Sequence, residues 1–346
     1  MSSTASFRFR PHANSWVALH PQPKGIVQFM GGAFFGTYPT LFYRQLLKQF
    51  YNEGYTVIAL PFSFTFDHWR IALTLLQEHY TLRHTIIEAA QRQGYETDVY
   101  LDAANYCWLG HSLGCKYIAM LELLSSPQDI FEAYADGVGI ELPQLKAIAQ
   151  SLQALTQTLR QLENNIQSMT GKAINYGQPS IYNEASLLMA PTIADLNGAI
   201  PWKPLEKLLS KILKVAPTVE QTHTLIQRSK LFNVTHIVEF ADDKIAKSTC
   251  DRLKQEQPHI THGSLPGKHL TPMGFSPAGK LSPTTASHKK AVSALTQLQA
   301  NLQKQPKPQT LNGVAQTPHT SAQTAEQRSI SYAALISTKS SSILAS

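Results

Sequence analysis

The sequence predicts an α/β protein: a mostly parallel central sheet flanked by helices, with helical insertions and a low-complexity C-terminal tail. Two observations predict it. Short apolar runs alternate with longer amphipathic segments, the pattern of a parallel sheet covered on both faces. One of those runs, Tyr106-Cys-Trp-Leu-Gly-His111, leads through a glycine-flanked serine directly into a helical segment. In open parallel sheets, reactive groups collect beyond the C-terminal strand ends.

Taken in order, Trp16–Leu19, Gly25–Met30 and Thr56–Leu60 are short apolar runs and are expected as strands. Thr40–Asn52 and Asp67–Gln93 are expected as helices, with Asp67 or Thr65 capping the second. Cys107–Leu109, extended upstream, is the next strand, and Leu113–Leu124 the helix after it. Leu145–Met169 reads as a Gln-rich helix on which Leu152, Leu155, Leu159, Leu162, Ile166 and Met169 recur at spacings of three and four. Such a stripe packs on the body or pairs with a second chain, and the pattern leaves the oligomeric state open. Ser186–Met189, Thr235–Phe240 and His259–Ser264 complete the strands. Pro204–Val215, Val219–Ser229, Lys247–Gln255 and Lys289–Gln303 complete the helices.

Composition narrows the function classes. Hydrophobic residues make up 43% of the 346, enough for a sizeable core. The net charge of +7 is local: residues 271–346 hold seven Lys/Arg against one Asp/Glu, and residues 1–270 hold 23 against 22. A nearly neutral body is a poor match to a phosphate backbone, so nucleic acid is not an expected partner. Cys107, Cys115 and Cys250 are too few for a disulfide framework and fit a reducing compartment. No run reaches the length of a membrane span, and the N-terminus lacks the apolar core of a secretory signal, so a cytoplasmic or plastid-type location is expected. No fixed-period repeat is present. The α/β domain is expected over residues 7–304, with helical insertions at about 125–180 and 191–232. Residues 305–346, rich in Gln, Ser, Thr and Pro, bury too little to offset chain entropy and are expected to be a disordered tail.

The sharpest chemical signal is Gly110-His-Ser112-Leu-Gly114, a G-x-S-x-G between strand and helix. Glycines two before and two after the serine let the chain turn so tightly that the hydroxyl stands above the sheet. The same pattern without chemistry would be only a glycine-flanked turn. A serine at its ordinary pKa needs a base, and the base needs an orienting acid. In sheets of this kind they follow in the order Ser, Asp/Glu, His. Asp243 follows the Thr235–Phe240 strand at a D-x-I spacing and is the expected acid. Asp242 is the alternative, and either could serve as the N-cap of the next helix. His269, in the Pro/Gly-rich loop Leu265–Pro272, is the expected base. His259 and His262 compete less well, because they lie within or beside a strand. Their H-x-x-H spacing lacks a third ligand, so no metal is assigned. An oxyanion needs backbone N–H donors. Leu113 supplies one and the loop after Met30 another, with Ala33 preferred and Phe34 the alternative. That loop has neither G-x-G-x-x-G nor G-K-[ST], which weakens a phosphate-binding reading.

The residues Pro23–Gly36, Gly54-Tyr55, Pro61-Phe62, Thr65–His68, Gly110–Lys116 and Leu265–Pro272 resemble an uncharacterised family of α/β-hydrolase-like proteins of cyanobacteria and plants, domain of unknown function 1350. The resemblance spans roughly residues 16–272. It implies the α/β-hydrolase fold and a link to photosynthetic organisms, and it implies no substrate.

Phe34, Phe35, Tyr38 and Phe62, with Phe64, Phe66 and Trp69 nearby, are expected near the pocket or in the core beneath it. An aromatic pocket suits an apolar acyl or isoprenoid group. The insertion after Met189 is where this fold carries a lid. Within it, Lys203, Lys207, Lys211 and Lys214 oppose an apolar face, so residues 203–214 are expected to form a solvated surface helix or a peripheral membrane contact. The expected activity is that of a serine hydrolase acting on an ester or thioester with an apolar part, without a cofactor. The alternative is a non-catalytic binding protein for a lipid, pigment or protein.

Overall fold

A computed structural model describes residues 6–63, 65–126, 128–182, 184–193, 217–228, 235–274 and 285–304. The expected helix Pro204–Val215, the contact at 203–214 with most of the insertion around it, Phe64 and the 305–346 tail lie outside them.

Eight strands form one sheet: β1 (Arg10–His12), β2 (Ser15–Ala18), β3 (Gly25–Met30), β4 (Tyr55–Ala59), β5 (Tyr106–His111), β6 (Ala185–Met189), β7 (Thr235–Phe240) and β8 (Thr261–Leu265). Their order is β1-β2-β4-β3-β5-β6-β7-β8. The β1–β2 and β2–β4 pairs are antiparallel, and all others are parallel. This is the α/β-hydrolase fold. Strands β3, β4, β5 and β6 are buried along their whole length, which is why they read as unbroken apolar runs rather than as alternating ones.

The helices are α1 (Pro39–Phe42), α2 (Arg44–Asn52), α3 (His68–Arg92), α4 (Leu113–Leu124), α5 (Gln128–Val138), α6 (Leu142–Thr170), α7 (Val219–Arg228), α8 (Lys247–Glu256) and α9 (Thr285–Lys304). Against the sheet, α2 packs with α9, α3 with α4, and α4 with α7. The Asp67 side chain caps α3 by accepting from the Arg70 N–H at 3.1 Å. Leu152, Leu155, Leu159 and Ile166 of α6 are buried, and α6 packs on α3, so the apolar stripe is used inside this chain.

Two expectations change. The segment Thr40–Asn52 is two helices, broken at Tyr43, whose ring is fully buried beside the glycine loop. The short strand β1 lies outside every expected strand, whereas α5 falls within the helical insertion expected at about 125–180. β1 is a three-residue edge strand with little apolar content, so it carries no periodic signal.

Register places the C-terminal ends of the central strands side by side. Met30 pairs with Gly110, His111 with Met189, Met189 with Val238, and Phe240 with Leu265. The loops leaving β3, β5, β7 and β8 therefore share one rim, and these carry Ala33, Ser112, Asp243 and His269.

Candidate active site

Ser112 sits between β5 and α4 with φ 54° and ψ −119°. A non-glycine residue rarely holds such a backbone, and it is kept here by the surrounding hydrogen bonds. The Ser112 N–H donates to the Met189 carbonyl at 3.1 Å, and the Ser112 carbonyl accepts from Cys115 and Thr192 N–H at 3.1 and 3.2 Å. The flanking glycines are required by space. A Cβ on Gly114 would lie 2.3 Å from the Met30 carbonyl oxygen, and one on Gly110 would lie 2.8 Å from Ile118 Cδ1. The serine itself is half-buried, so its hydroxyl is presented rather than enclosed.

His269 comes to it from across the sheet. Its Nε2 is 2.9 Å from Ser112 Oγ, and its Nδ1 is 2.9 Å from Asp243 Oδ2. With the Asp243 carboxylate as acceptor, Nδ1 carries the proton and Nε2 is left to accept from the serine. Asp243 Oδ1 meanwhile accepts from Ile245 and Ala246 N–H at 2.8 and 3.1 Å. One carboxylate thus both orients the imidazole and secures the turn before α8. Burial alone would raise the Asp243 pKa. The hydrogen bond and charge of His269, followed by the Ala246 and Ile245 N–H groups, outweigh it and hold the carboxyl below its ordinary range. Asp242 is exposed, and its N–H donates to the Gly267 carbonyl at 2.9 Å. His259 and His262 lie just before and at the start of β8, at the opposite end of that strand from His269. Among the described residues, no three His, Cys, Asp or Glu side chains are grouped to hold a metal ion.

Leu113 is the first residue of α4, where a helix leaves its N–H groups without internal partners. Ala33 follows Gly32, and a Cβ on Gly32 would stand 3.2 Å from Ser112 Cβ, so the glycine loop passes directly beside the serine. The Gly32 N–H is already engaged, donating to Tyr43 Oη at 2.8 Å.

The aromatic residues divide. Phe34 and Tyr38 are 50% and 63% exposed, and Phe35 packs edge-on against Phe42. Phe62 is buried, with its ring against Tyr117 and beneath Gly36, on the core side of the loop.

Sequence reading missed Tyr43, His111 and Thr192. His111 is fully buried, with Nδ1 2.8 Å from Tyr43 Oη and Nε2 2.8 Å from the His269 carbonyl oxygen. Thr192 Oγ1 is 3.5 Å from Ser112 Oγ. A titratable residue ending an otherwise apolar strand was the available signal for His111.

Residues 9–130 match the family model described as "Protein of unknown function (DUF1350)". That stretch includes the glycine loop and Ser112 and ends before Asp243 and His269. No curated protein matches the chain. Among solved structures, the chain is similar to a sugar hydrolase from Lactococcus lactis at 15% identity and a TM-score of 0.49, over 85% of this chain and 98% of that one. It is similar to esterase B from Lactobacillus rhamnosis at 11% and 0.47, over 83% and 81% of the two chains. A carboxylesterase from Lactobacillus plantarum is similar at 12% and 0.46, over 86% and 96%.

Proposed function

We propose that the protein is a serine hydrolase that cleaves an ester or thioester with an apolar acyl or isoprenoid part. The observation that carries this reading is the unbroken line from Ser112 Oγ through His269 to Asp243, at 2.9 Å on each side of the ring. Ser112 Oγ attacks the acyl carbonyl while His269 Nε2 takes its proton. Asp243 holds the tautomer and stabilises the imidazolium. The N–H groups of Leu113 and Ala33 receive the oxyanion. Collapse returns the proton from His269 to the leaving alcohol or thiol, and water then releases the acyl group by the same route in reverse.

The apolar part of the reading rests on the rim. Phe34, Tyr38, Leu41 and Leu270 are each more than 40% exposed. They flank the loops that bring Ala33 and His269 to the serine, so an approaching substrate meets apolar groups there.

A fluorophosphonate probe tests the reading. Wild-type protein is expected to label at one serine, and Ser112→Ala to lose labelling by a factor on the order of a thousand or more. A folded wild-type protein that does not label would favour a binding protein instead.

A further inference from the structure

Tyr43 and His111 take no part in the Ser112–His269–Asp243 line, yet both are fully buried beside it. We propose that they are positioning residues, forming a hydrogen-bonded chain that ties the loop carrying Ala33 to the loop carrying His269 and holds both in register over Ser112. The proposal rests on the hydrolase reading of the site.

The direction of every bond in the chain is fixed. A carbonyl oxygen only accepts, so His111 Nε2 must carry the proton it donates to the His269 carbonyl at 2.8 Å. In a neutral ring Nδ1 is then the acceptor, and Tyr43 Oη–H donates to it at 2.8 Å. The lone pairs of Tyr43 Oη remain to accept the Gly32 N–H at 2.8 Å. The sequence is Gly32 N–H to Tyr43, Tyr43 to His111, and His111 to the His269 backbone, with no donor or acceptor used twice. Reversing the tautomer would set an unprotonated Nε2 against a carbonyl oxygen, and the chain would break at His269.

Each link acts on a different part of the site. Gly32 immediately precedes Ala33: Tyr43 fixes the peptide on its N-terminal side, and the Gly36 N–H, donating to the Gly32 carbonyl at 2.6 Å, fixes the peptide that carries the Ala33 N–H. His269 is held twice, at its ring by Asp243 and at its backbone by His111. His111 directly precedes Ser112 in the chain, so both anchors are referred to the serine itself. Displacements of about 1 Å at such groups are costly in rate. Burial, reinforced by the nearby charge of His269 and only partly offset by the His269 carbonyl and Asp243, pushes the His111 pKa down to about 3. The ring therefore stays neutral while His269, 5.1 Å away between centroids, exchanges its proton.

The test compares the second-order rate of fluorophosphonate labelling in wild type, Tyr43→Phe, His111→Phe, His111→Gln and the Tyr43→Phe/His111→Phe double variant, with thermal midpoints measured alongside. Tyr43→Phe and His111→Phe are expected to label about tenfold or more slowly, the double variant no slower than His111→Phe alone, and His111→Gln to recover at least part of the rate. The Gln side-chain amide can still donate to the His269 carbonyl. Single variants that label as fast as a labelling wild type would overturn the proposal and leave the hydrolase reading intact. Additive losses, or a Gln variant no better than Phe, would also overturn it. If His111→Phe fails to fold, the same decision comes from His111→Gln and Tyr43→Phe. A wild type that does not label at all sinks the hydrolase reading instead. Independently of labelling, side-chain nitrogen NMR should show His111 as a fixed Nε2–H tautomer from pH 5 to 9; an Nδ1–H tautomer or a titration in that range would break the chain.

Discussion

Among the described residues, two buried clusters each set a histidine against a carboxylate, and only one of the two has the geometry of a reaction. At the rim, Asp243 holds His269, whose far nitrogen faces a half-buried hydroxyl. Under α3, Glu184 is tied to Arg83, to Trp108 Nε1 at 2.7 Å and to Gln28, and it lies 3.4 Å from His79. His79 Nδ1 is in turn 2.6 Å from Gln28 Oε1, and the Arg83 guanidinium lies over the Tyr106 ring. There the carboxylate is saturated by groups anchored in β3, β5 and α3, and no nucleophile is presented. A histidine beside an acid therefore indicates chemistry only where the second ring nitrogen meets a reactive group that substrate can reach. The inner cluster instead pairs most of the polar groups that the sheet buries, leaving His79 Nε2 and Arg83 Nε without a hydrogen bond among the described residues.

The comparison is broken most directly at the two acids. Asp243→Asn should leave the fold intact and slow fluorophosphonate labelling by roughly a thousandfold or more, because an amide favours the wrong imidazole tautomer. Labelling within tenfold of wild type would place Asp243 on the structural side, securing only the turn before α8. Glu184→Gln should do the opposite. It leaves the Arg83 charge buried without its partner, so denaturant unfolding should show a loss of about 3 kcal/mol, while the folded fraction labels at the wild-type rate. A changed labelling rate would show that the two clusters are coupled.

Smaller effects sharpen the contrast. Gly114→Ala drives a methyl group toward the Met30 and Gly31 carbonyls. It should cost about 2 kcal/mol in thermal or chemical unfolding, and it should also slow labelling, since relief comes by moving the glycine loop. The third carboxylate, Glu122, has neither cation nor histidine beside it among the described residues. Its Oε1 accepts from Ser186 and Thr235 hydroxyls at 3.2 and 3.3 Å, and burial, only partly offset by those bonds, pushes its pKa up to about 8. The folded protein keeps this proton where an unfolded chain would release it. Stability from this group is thus full below about pH 4.5, falls as pH rises toward about 8 and is level above that. Glu122→Gln should be indistinguishable from wild type at pH 4 and more stable by roughly 4 kcal/mol at pH 8, read as a gap in Tm that opens with pH. A constant gap would mean that Glu122 is ionised throughout.

The three carboxylates also show how far sequence reading reaches. Asp243 was legible because it follows a strand at a fixed place in the chain order, and Ser112 because its turn demands glycine on both sides. Glu184 and Glu122 were not legible. Their partners lie 101 residues away at Arg83 and 64 residues away at Ser186, and no local pattern records such a pairing. The break at Tyr43 was hidden for a similar reason. The segment has helical spacing throughout, and the turn is imposed by a hydroxyl that bonds Gly32 and His111.

By itself the sequence determined the alternation of strands and helices, the elbow at Ser112 and the chain order of acid and base, because periodicity, glycine sterics and connection rules act over a few residues. The tertiary structure decided that His269 rather than His259 or His262 faces the hydroxyl, that Asp243 rather than Asp242 holds the ring, and that Tyr43 and His111 join the two loops. Those outcomes depend on which strand ends lie side by side and on which polar groups are left to pair once water is excluded, and neither is set until the sheet has closed.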